Sequence, residues 1–166
     1  SLLNDCKYGY DVHNNVLRLS LLRSTTDPDP RADEGEHHFT YSILPHEGDW
    51  REGTVQQGFE LNAPLLARTV PRSKGDLPPV YAFAGTDAEN VIIDHVKKAE
   101  DSDALIVRLY EAYGQRGDVT VTFAREPKSV VECDLMEEND RPVSVRGAEV
   151  KLYVTPFELR TLKVMF

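Results

Sequence analysis

The sequence predicts an all-β protein, an antiparallel β-sandwich with few short helical turns. Three observations indicate this fold. Short runs rich in β-branched and aromatic residues alternate apolar with polar positions. Turn residues separate these runs at intervals of roughly ten residues. The long amphipathic helices of a doubly wound α/β fold are missing. With 166 residues, 40% of them hydrophobic, the chain can form one core, so we expect a single domain over residues 1–166.

The predicted strands follow one another along the chain. Val16 to Arg23 alternates apolar and polar residues almost without interruption. Similar runs are His38 to Leu44, Leu105 to Tyr110, Val119 to Phe123, Val130 to Cys133, Val150 to Val154 and Leu159 to Val164. The turn residues between runs include Asn14-Asn15, Gly117-Asp118 and Arg146-Gly147. Because successive side chains of a strand face opposite ways, each run indicates a strand with one buried face.

Two segments fit a helix as well as a strand. For Thr54 to Asn62 the pattern leaves both possibilities open. Asp87 to Ala99 begins with a residue that can cap a helix, but its Val91-Ile92-Ile93 run favours a strand, which we expect. Pro71 to Pro79 and Thr25 to Glu34 are predicted to be loops because prolines and aspartates are concentrated there.

Composition excludes several classes of function. The 28 acidic and 19 basic residues give a net charge of −9, which makes nucleic acid and anionic membrane poor partners. No run approaches the roughly 20 apolar residues of a membrane span. Cys6 and Cys133 are far apart and fit no CxxC pattern, which favours a reducing, cytoplasmic location over a disulfide-rich secreted scaffold.

The stretch from Gly35 to His46 contains three histidines and raises the possibility of a metal site. On a strand, His37 and His38 point to opposite faces, and His46 lies beyond Pro45. Zinc sites use closer ligand pairs than this. We therefore expect a core strand here and no metal ligands, with a metal-binding domain as the less favoured alternative.

No stretch predicts an active site. Lys7 beside Cys6 could lower the pKa of the thiol, but no hydrolase signature accompanies it, so a structural cysteine is favoured. There is no GxGxxG motif or P-loop. Carboxylates are abundant without any sign of a catalytic pair. We predict no catalytic residues. The chain opens on Ser1 without an initiator methionine, so we expect a piece of a longer protein.

An ordered series of motifs resembles a known family. The motifs are LNDCKYGYD (3–11), LRLSLLRS (17–24), GEHHFTYSILPHEGDW (35–50), FELNAPLL (59–66), VKKAED (96–101), LIVRLYEAYG (105–114), ECDLMEE (132–138) and PFELRTLKV (156–164). The chain resembles the C-terminal domain of α-mannosidases of glycoside hydrolase family 38, with most similarity to the cytosolic and bacterial branch. The resemblance extends over nearly the whole chain.

The resemblance implies that the catalytic groups lie in a different domain from this chain. In this family an N-terminal α/β-barrel domain holds the catalytic carboxylates and a divalent metal, commonly zinc. The parent protein is therefore expected to be a retaining α-mannosidase acting on terminal α-mannosides or oligosaccharides. This chain is expected to pack on that upstream catalytic domain, to hold no cofactor and to be inactive alone. Formation of a homo-oligomer is left open.

By position in that family, two polar segments are candidates for the rim of the active site. The candidate residues are Asp5, Lys7, Tyr8, Tyr10, Arg23, Asp33 and Glu34. Their charged groups could reach sugar hydroxyls, and tyrosine rings can lie against a pyranose. The alternative role for each is packing between domains or simple solvation. An autonomous carbohydrate-binding β-sandwich module is the alternative function.

Overall fold

The computed structural model of the protein describes residues 1–72 and 74–166. Contacts divide the chain into two compact units, Ser1–Pro71 and Arg72–Phe166. The single domain expected over residues 1–166 stays a prediction. Ser73, in the predicted loop Pro71 to Pro79, lies outside the described residues. The other residues of this loop form no helix or strand. No helix in the described part of the chain has the length and hydrophobicity to cross a membrane.

The first unit is built from short strands and one helix. Its elements are β1 Leu2–Asn4, β2 Tyr10–His13, β3 Val16–Leu19, β4 Tyr41–Ile43 and α1 Thr54–Asn62. Strands β1 and β4 pair antiparallel, as do β2 and β3. The predicted turn at Asn14-Asn15 joins β2 to β3, with Asn14 in a left-handed conformation.

The segment that the sequence left ambiguous is the helix α1. Val55 and Phe59 lie one turn apart and are both half-buried, as expected for one face of a helix. The Ala63 N–H donates to the Phe59 carbonyl at 2.7 Å and closes the last turn. Pro64 follows, and a residue before proline avoids helical angles. Asn62 also donates its amide to the Asn4 carbonyl at 3.1 Å, which links α1 to β1.

The strands of the first unit are shorter than predicted. The prediction of a core strand within Gly35 to His46 is wrong. Only Tyr41–Ile43 is a strand there, and Tyr41 and Ile43 are 54% and 70% exposed. The strand pairs only with the three residues of β1. None of the residues 1–71 is buried. A two-stranded ribbon without a covering layer cannot bury its apolar face.

The second unit is the predicted antiparallel sandwich. Its strands are β5 Ala84–Thr86, β6 Val91–Lys98, β7 Leu105–Glu111, β8 Gly117–Phe123, β9 Ser129–Cys133, β10 Arg141–Pro142, β11 Val145–Arg146, β12 Glu149–Val154 and β13 Leu159–Met165. One sheet has the strand order β10-β9-β13-β7-β6 and the other has the order β11-β12-β8-β5. All pairings are antiparallel.

Alternation along the strands forms the core of this unit. In β12, Val150, Leu152 and Val154 are buried while the intervening residues are exposed. In the neighbouring strand, Val121 and Val119 lie opposite Val150 and Leu152, so their side chains enter the same core. Residues of the facing sheet complete this core, namely Val91, Val107, Leu109, Val130, Leu162 and Val164.

Two local predictions for this unit have different outcomes. The strand favoured within Asp87 to Ala99 is confirmed as β6, with a bulge between Ile93 and His95. The turn predicted at Gly117-Asp118 is wrong, because both residues begin β8 and pair with Val154 and Tyr153. Pairing across the sheet outweighs the local turn preference of a Gly-Asp pair.

The actual turn before β8 is organised by a buried carboxylate, Glu111, at the end of β7. It accepts hydrogen bonds from the Asn90 amide at 2.9 Å and from three backbone N–H groups, those of Tyr113, Gly114 and Phe157, at 2.9, 2.8 and 2.9 Å. Glu111 therefore joins the β5–β6 connection, the β7–β8 turn and the β12–β13 turn at one point.

Gly114 is needed at this turn for two reasons. Its φ of +72° is a left-handed conformation that favours glycine, and a Cβ there would lie 2.9 Å from Cζ of Phe157. The hydrogen bonds also decide the charge of Glu111. Burial opposes ionisation, but the donated hydrogen bonds, first that of Phe157, outweigh it and lower the pKa of Glu111 from 4.5 to about 2.

We predict that Glu111→Gln destabilises the second unit. The lowered pKa corresponds to stability on the order of 3 kcal/mol. This contribution is fully present above pH 4.5, the ordinary pKa of the group, and is lost as the pH falls towards about 2. Urea unfolding, followed through NMR signals of β7 and β13, should show the loss at pH 7 and a smaller loss at pH 2.5.

Glu149→Gln is the matched control, because Glu149 lies on the exposed side of β12. Its unfolding free energy should stay within about 0.5 kcal/mol of the wild type. Equal effects of the two substitutions at pH 7 would contradict the role assigned to Glu111.

Candidate functional site

A groove of about 700 Å³ in the first unit contains most of the predicted rim residues. We call it the Lys7 groove. It is lined by Cys6, Lys7, Tyr8, Gly9, Ser20, Leu21, Leu22, Arg23, Thr25, Asp33 and His37. Its walls are therefore the loop before β2, the segment after β3 and the residues that precede β4.

The β2–β3 hairpin brings these distant segments together. The Ser20 N–H donates to the Gly9 carbonyl at 2.7 Å, one step beyond the Tyr10–Leu19 pair. A Cβ at Gly9 would lie 3.1 Å from Cβ of Ser20, so glycine permits this close approach. The residues just before Gly9 and just after Ser20 therefore face the same space.

Of the seven predicted residues, the structure brings Lys7, Tyr8, Arg23 and Asp33 together in this groove. The other three lie outside its lining, and each has its own position. Both carboxylate oxygens of Asp5 accept the Thr40 N–H, at 2.9 and 3.0 Å, which ties the chain after β1 to the approach of β4.

Tyr10 and Glu34 also lie outside the Lys7 groove. Tyr10 begins β2 and lines a second groove of the same unit. Glu34 is exposed, and its N–H donates to the Arg31 carbonyl at 3.1 Å. No finding tests a contact of any of the seven residues with substrate, so their rim role stays a prediction.

Backbone and side-chain contacts hold the groove residues in place. Asp33 accepts the Ser24 N–H at 2.5 Å, which closes the loop between these residues. The His37 ring nitrogen Nε2 lies 3.0 Å from the Asp33 carbonyl. The Lys7 ammonium lies 4.6 Å from the centre of the Phe39 ring, a cation–π contact. Lys7 and Asp33 are therefore anchored at the groove wall.

The groove is suited to binding a polyhydroxylated ligand rather than to cleaving it. Lys7 and Arg23 offer charged donors, Asp33 offers an acceptor, and the Tyr8 ring is 89% exposed. A retaining glycosidase needs two carboxyl groups about 5–5.5 Å apart. Among the residues that line this groove, only Asp33 carries one.

Sequence reasoning did not single out several groove residues. Cys6 and Thr25 lie within the two predicted rim segments, 4–11 and 23–35, and add a thiol and a hydroxyl group, whereas Ser20 and His37 lie outside those segments and add a hydroxyl group and an imidazole. The hairpin turn at Asn14-Asn15 would have located Ser20, because its register places Ser20 beside Gly9. His37 was considered only as a metal ligand.

The three histidines of the stretch from Gly35 to His46 have separate partners. His37 contacts Asp33, His38 lies 3.1 Å from Glu36, and the two ring nitrogens of His46 contact the Ser1 hydroxyl and the Glu47 carbonyl. Among the described residues, no three His, Cys, Asp or Glu side chains come close enough together to hold a metal ion.

The chain matches two protein-family models. Residues 90–162 match the model of the glycosyl hydrolases family 38 C-terminal beta sandwich domain, and residues 1–31 match that of the glycosyl hydrolases family 38 C-terminal domain. The chain belongs to glycosyl hydrolase family 38. The two family 38 matches fall one in each compact unit. The resemblance expected from the ordered motifs is confirmed.

Curated relatives agree with this assignment. The family 38 chain is 38% identical to alpha-mannosidase 2C1 of Homo sapiens and 36% identical to alpha-mannosidase G of Dictyostelium discoideum, in each case over 98% of the chain. It is 30% identical, over its whole length, to alpha-mannosidase of Saccharomyces cerevisiae. The chain spans only about one sixth of these relatives, 16–17% of their length.

We predict that the thiol of Cys6 reacts slowly with iodoacetamide although it is exposed. A hydrogen bond to Asp5 raises the pKa of Cys6 above 9.0, and the opposing effect of Lys7 is smaller, so the expected lowering by Lys7 does not prevail. Fewer thiolates form at pH 8, and the thiolate is the nucleophile. Asp5→Asn should raise the labelling rate a few-fold, as measured by mass spectrometry.

Asp11→Asn provides the control, since Asp11 pairs with Arg18 at 3.3 Å instead of with a thiol. Its labelling rate should match that of the wild type. The buried Cys133 should react only on unfolding, because burial raises the pKa of its thiol and shields the sulfur. If Asp5→Asn left Cys6 labelling unchanged, Asp5 would not control that thiol.

Proposed function

We propose that the protein is the non-catalytic C-terminal β-domain of a retaining α-mannosidase that hydrolyses terminal α-mannosides. The relatives are named alpha-mannosidases, and both family models describe C-terminal domains. In this proposal the two units pack on a catalytic domain elsewhere in the polypeptide. The Lys7 groove then contributes to the rim of the active site.

The observation that carries this proposal is the composition of the Lys7 groove. Arg23 and Lys7 can donate to sugar hydroxyls, Asp33 can accept from them, and Tyr8 can lie against a ring face. Asp33 is the one carboxylate among the residues that line the groove, which supports the proposal that bond cleavage takes place in another region. The groove therefore orients an oligosaccharide without taking part in proton transfer.

The divalent metal expected for the parent enzyme belongs to the catalytic domain in this proposal. The separate partners of His37, His38 and His46 support this placement of the metal outside the chain. We further propose a cytoplasmic location, which rests on the sparse cysteines of the sequence and its likeness to the cytosolic branch.

The first test compares activity of the chain 1–166 with that of the full-length polypeptide. An aryl α-mannoside, assayed with zinc or cobalt added, should be hydrolysed by the full-length protein and not by residues 1–166. Turnover by the purified chain alone would overturn the non-catalytic assignment.

The second test concerns the rim. In the full-length enzyme, Arg23→Ala should lower kcat/KM for a mannose oligosaccharide at least about tenfold, because a hydrogen bond to a charged group contributes on the order of 1.5–3 kcal/mol. Arg31→Ala is the matched control, since Arg31 is an exposed arginine of the same unit outside the groove lining. Equal effects of the two variants would contradict the proposed role of the Lys7 groove at the rim of the active site.

An autonomous carbohydrate-binding module is the second candidate, because the Lys7 groove is formed entirely within the first unit. Calorimetric titration of chain 1–166 with mannose oligosaccharides decides between the two functions. Saturable binding that Arg23→Ala abolishes would favour the module. No heat of binding would support the dependence on a catalytic domain.

A further inference from the structure

The turn between β12 and β13 presents an aromatic side chain in an unfavourable backbone conformation. The turn runs from Thr155 to Glu158, and the Glu158 N–H donates to the Thr155 carbonyl at 3.1 Å. Phe157, the third residue of the turn, has a φ of +58°. Turns with a positive φ at this position favour glycine or asparagine there, because a larger side chain is disfavoured in that conformation. The chain therefore keeps a bulky residue where a small one would be more stable.

Burial does not offset this conformational cost. Phe157 is 67% exposed and belongs to neither buried cluster of the second unit. A phenyl ring stabilises a fold chiefly by the apolar surface that it buries. Strained backbone conformations that packing does not require are concentrated at sites that bind ligands. The exposed ring of Phe157 is therefore a candidate for ligand contact.

The position of the ring is fixed by the turn on the other side of Glu111. The N–H groups of Phe157 and Gly114 both donate to the buried Glu111 carboxylate, at 2.9 and 2.8 Å. The outer end of the Phe157 ring lies over Gly114, where a Cβ would approach Cζ to 2.9 Å. Because one buried side chain holds both backbone segments, the ring is oriented before any ligand binds, which lowers the entropy lost on binding.

Polar side chains lie beside the ring. Gln115 and Arg116 directly follow Gly114 and are exposed, so an amide and a guanidinium group offer donors next to the residue that the ring contacts. On the other side, the Thr155 hydroxyl donates to the Glu158 carboxylate at 2.9 Å within the turn of the ring. The ring is therefore an apolar surface bordered by groups that can form hydrogen bonds.

We propose that Phe157, Gln115 and Arg116 form a carbohydrate-binding site for one pyranose ring of an oligosaccharide, which we call the Phe157 platform. It belongs to the second unit, whereas the Lys7 groove belongs to the first. One side of a pyranose presents C–H groups, which suit the electron-rich face of an aromatic ring, and its rim carries hydroxyl groups that accept from Gln115 and Arg116. The choice of mannose as the sugar rests on the proposed function.

A sugar suits the Phe157 platform better than an apolar protein surface does. An apolar partner would remove Gln115, Arg116 and the Thr155–Glu158 pair from water without offering them hydrogen bonds, which is costly. A pyranose combines an apolar side with a polar rim and meets both requirements at once.

The test is an NMR titration of the chain 1–166 with mannotriose, followed through the backbone amide signals of residues 113–116 and 155–158. The second unit has its own buried core, which supports these turns within the chain. We expect saturable shifts in both turns, with a Kd on the order of 1 mM because a single ring face buries little area. Shifts confined to other residues, or no shifts, would overturn the inference.

The outcome is independent of the test for catalysis. If the full-length protein did not hydrolyse an aryl α-mannoside but the two turns shifted as expected, only the proposed function would be contradicted. If the full-length protein were active and the turns did not shift, only the Phe157 platform would be overturned.

Variants at Phe157 separate binding from folding. Phe157→Asn removes the ring but supplies a residue that tolerates a positive φ, so the midpoint of urea unfolding should change little while binding weakens at least about tenfold. Phe157→Tyr keeps the ring and should keep the affinity. Arg116→Ala, a change at an exposed side chain, should also weaken binding. Unchanged affinity in Phe157→Asn would overturn the inference.

Tyr81→Asn is the matched control. Tyr81 is an aromatic residue of the second unit that is 56% exposed, and it precedes β5, which pairs with the end of β8 that lies away from Gly117. Its loss should leave the affinity for mannotriose unchanged. Equal weakening in Tyr81→Asn and Phe157→Asn would overturn the inference. Sedimentation that shows a dimer, lost in Phe157→Asn, would assign the ring to a contact between copies, with the same consequence.

Discussion

The register of the β2–β3 hairpin is the constraint on which the first unit depends. Pairing Tyr10 with Leu19 and Val12 with Leu17 places these four side chains on one side of the hairpin, and the Asp11–Arg18 ion pair on the other. The same register, extended by one step, sets Ser20 against Gly9 and opens the Lys7 groove. A slip of one residue would exchange the two faces. The backbone hydrogen bonds of the hairpin thus determine both which side chains share a face and where the Lys7 groove opens.

The two units differ in how much apolar side-chain surface they bury. The second unit buries an alternating set of valines and leucines between two sheets and fixes its turns on the Glu111 carboxylate. The first unit buries no residue and contains the Lys7 groove. Binding surfaces generally lie on less stable segments supported by a rigid scaffold.

The sequence predicted the second unit well because its strands alternate and their partners belong to the same unit. Val150 to Val154 and Leu159 to Val164 appear within one residue of their predicted ends. Gly117-Asp118 failed because a local turn preference competes with pairing to β12, which sequence spacing does not show. In the first unit, Tyr41 and Ile43 alternate as a core strand would, but no layer of the unit covers them.

For the candidate site, the family resemblance supplied seven candidates, and it could not show that Lys7, Tyr8, Arg23 and Asp33 share one groove. The hairpin register and the hydrogen bond between Ser24 and Asp33 bring these residues into one groove, and the sequence shows neither contact. The buried role of Glu111 was equally invisible, because its four donors come from three separate connections.

The bulge in β6 affects how the protein meets other copies of itself. This strand is the outer strand of its sheet, and such a strand offers unpaired backbone groups to any neighbour. The bulge between Ile93 and His95 interrupts that row, and Lys97 and Lys98 place positive charge beside it. The edge of the sandwich is thereby protected against growth into an aggregated sheet.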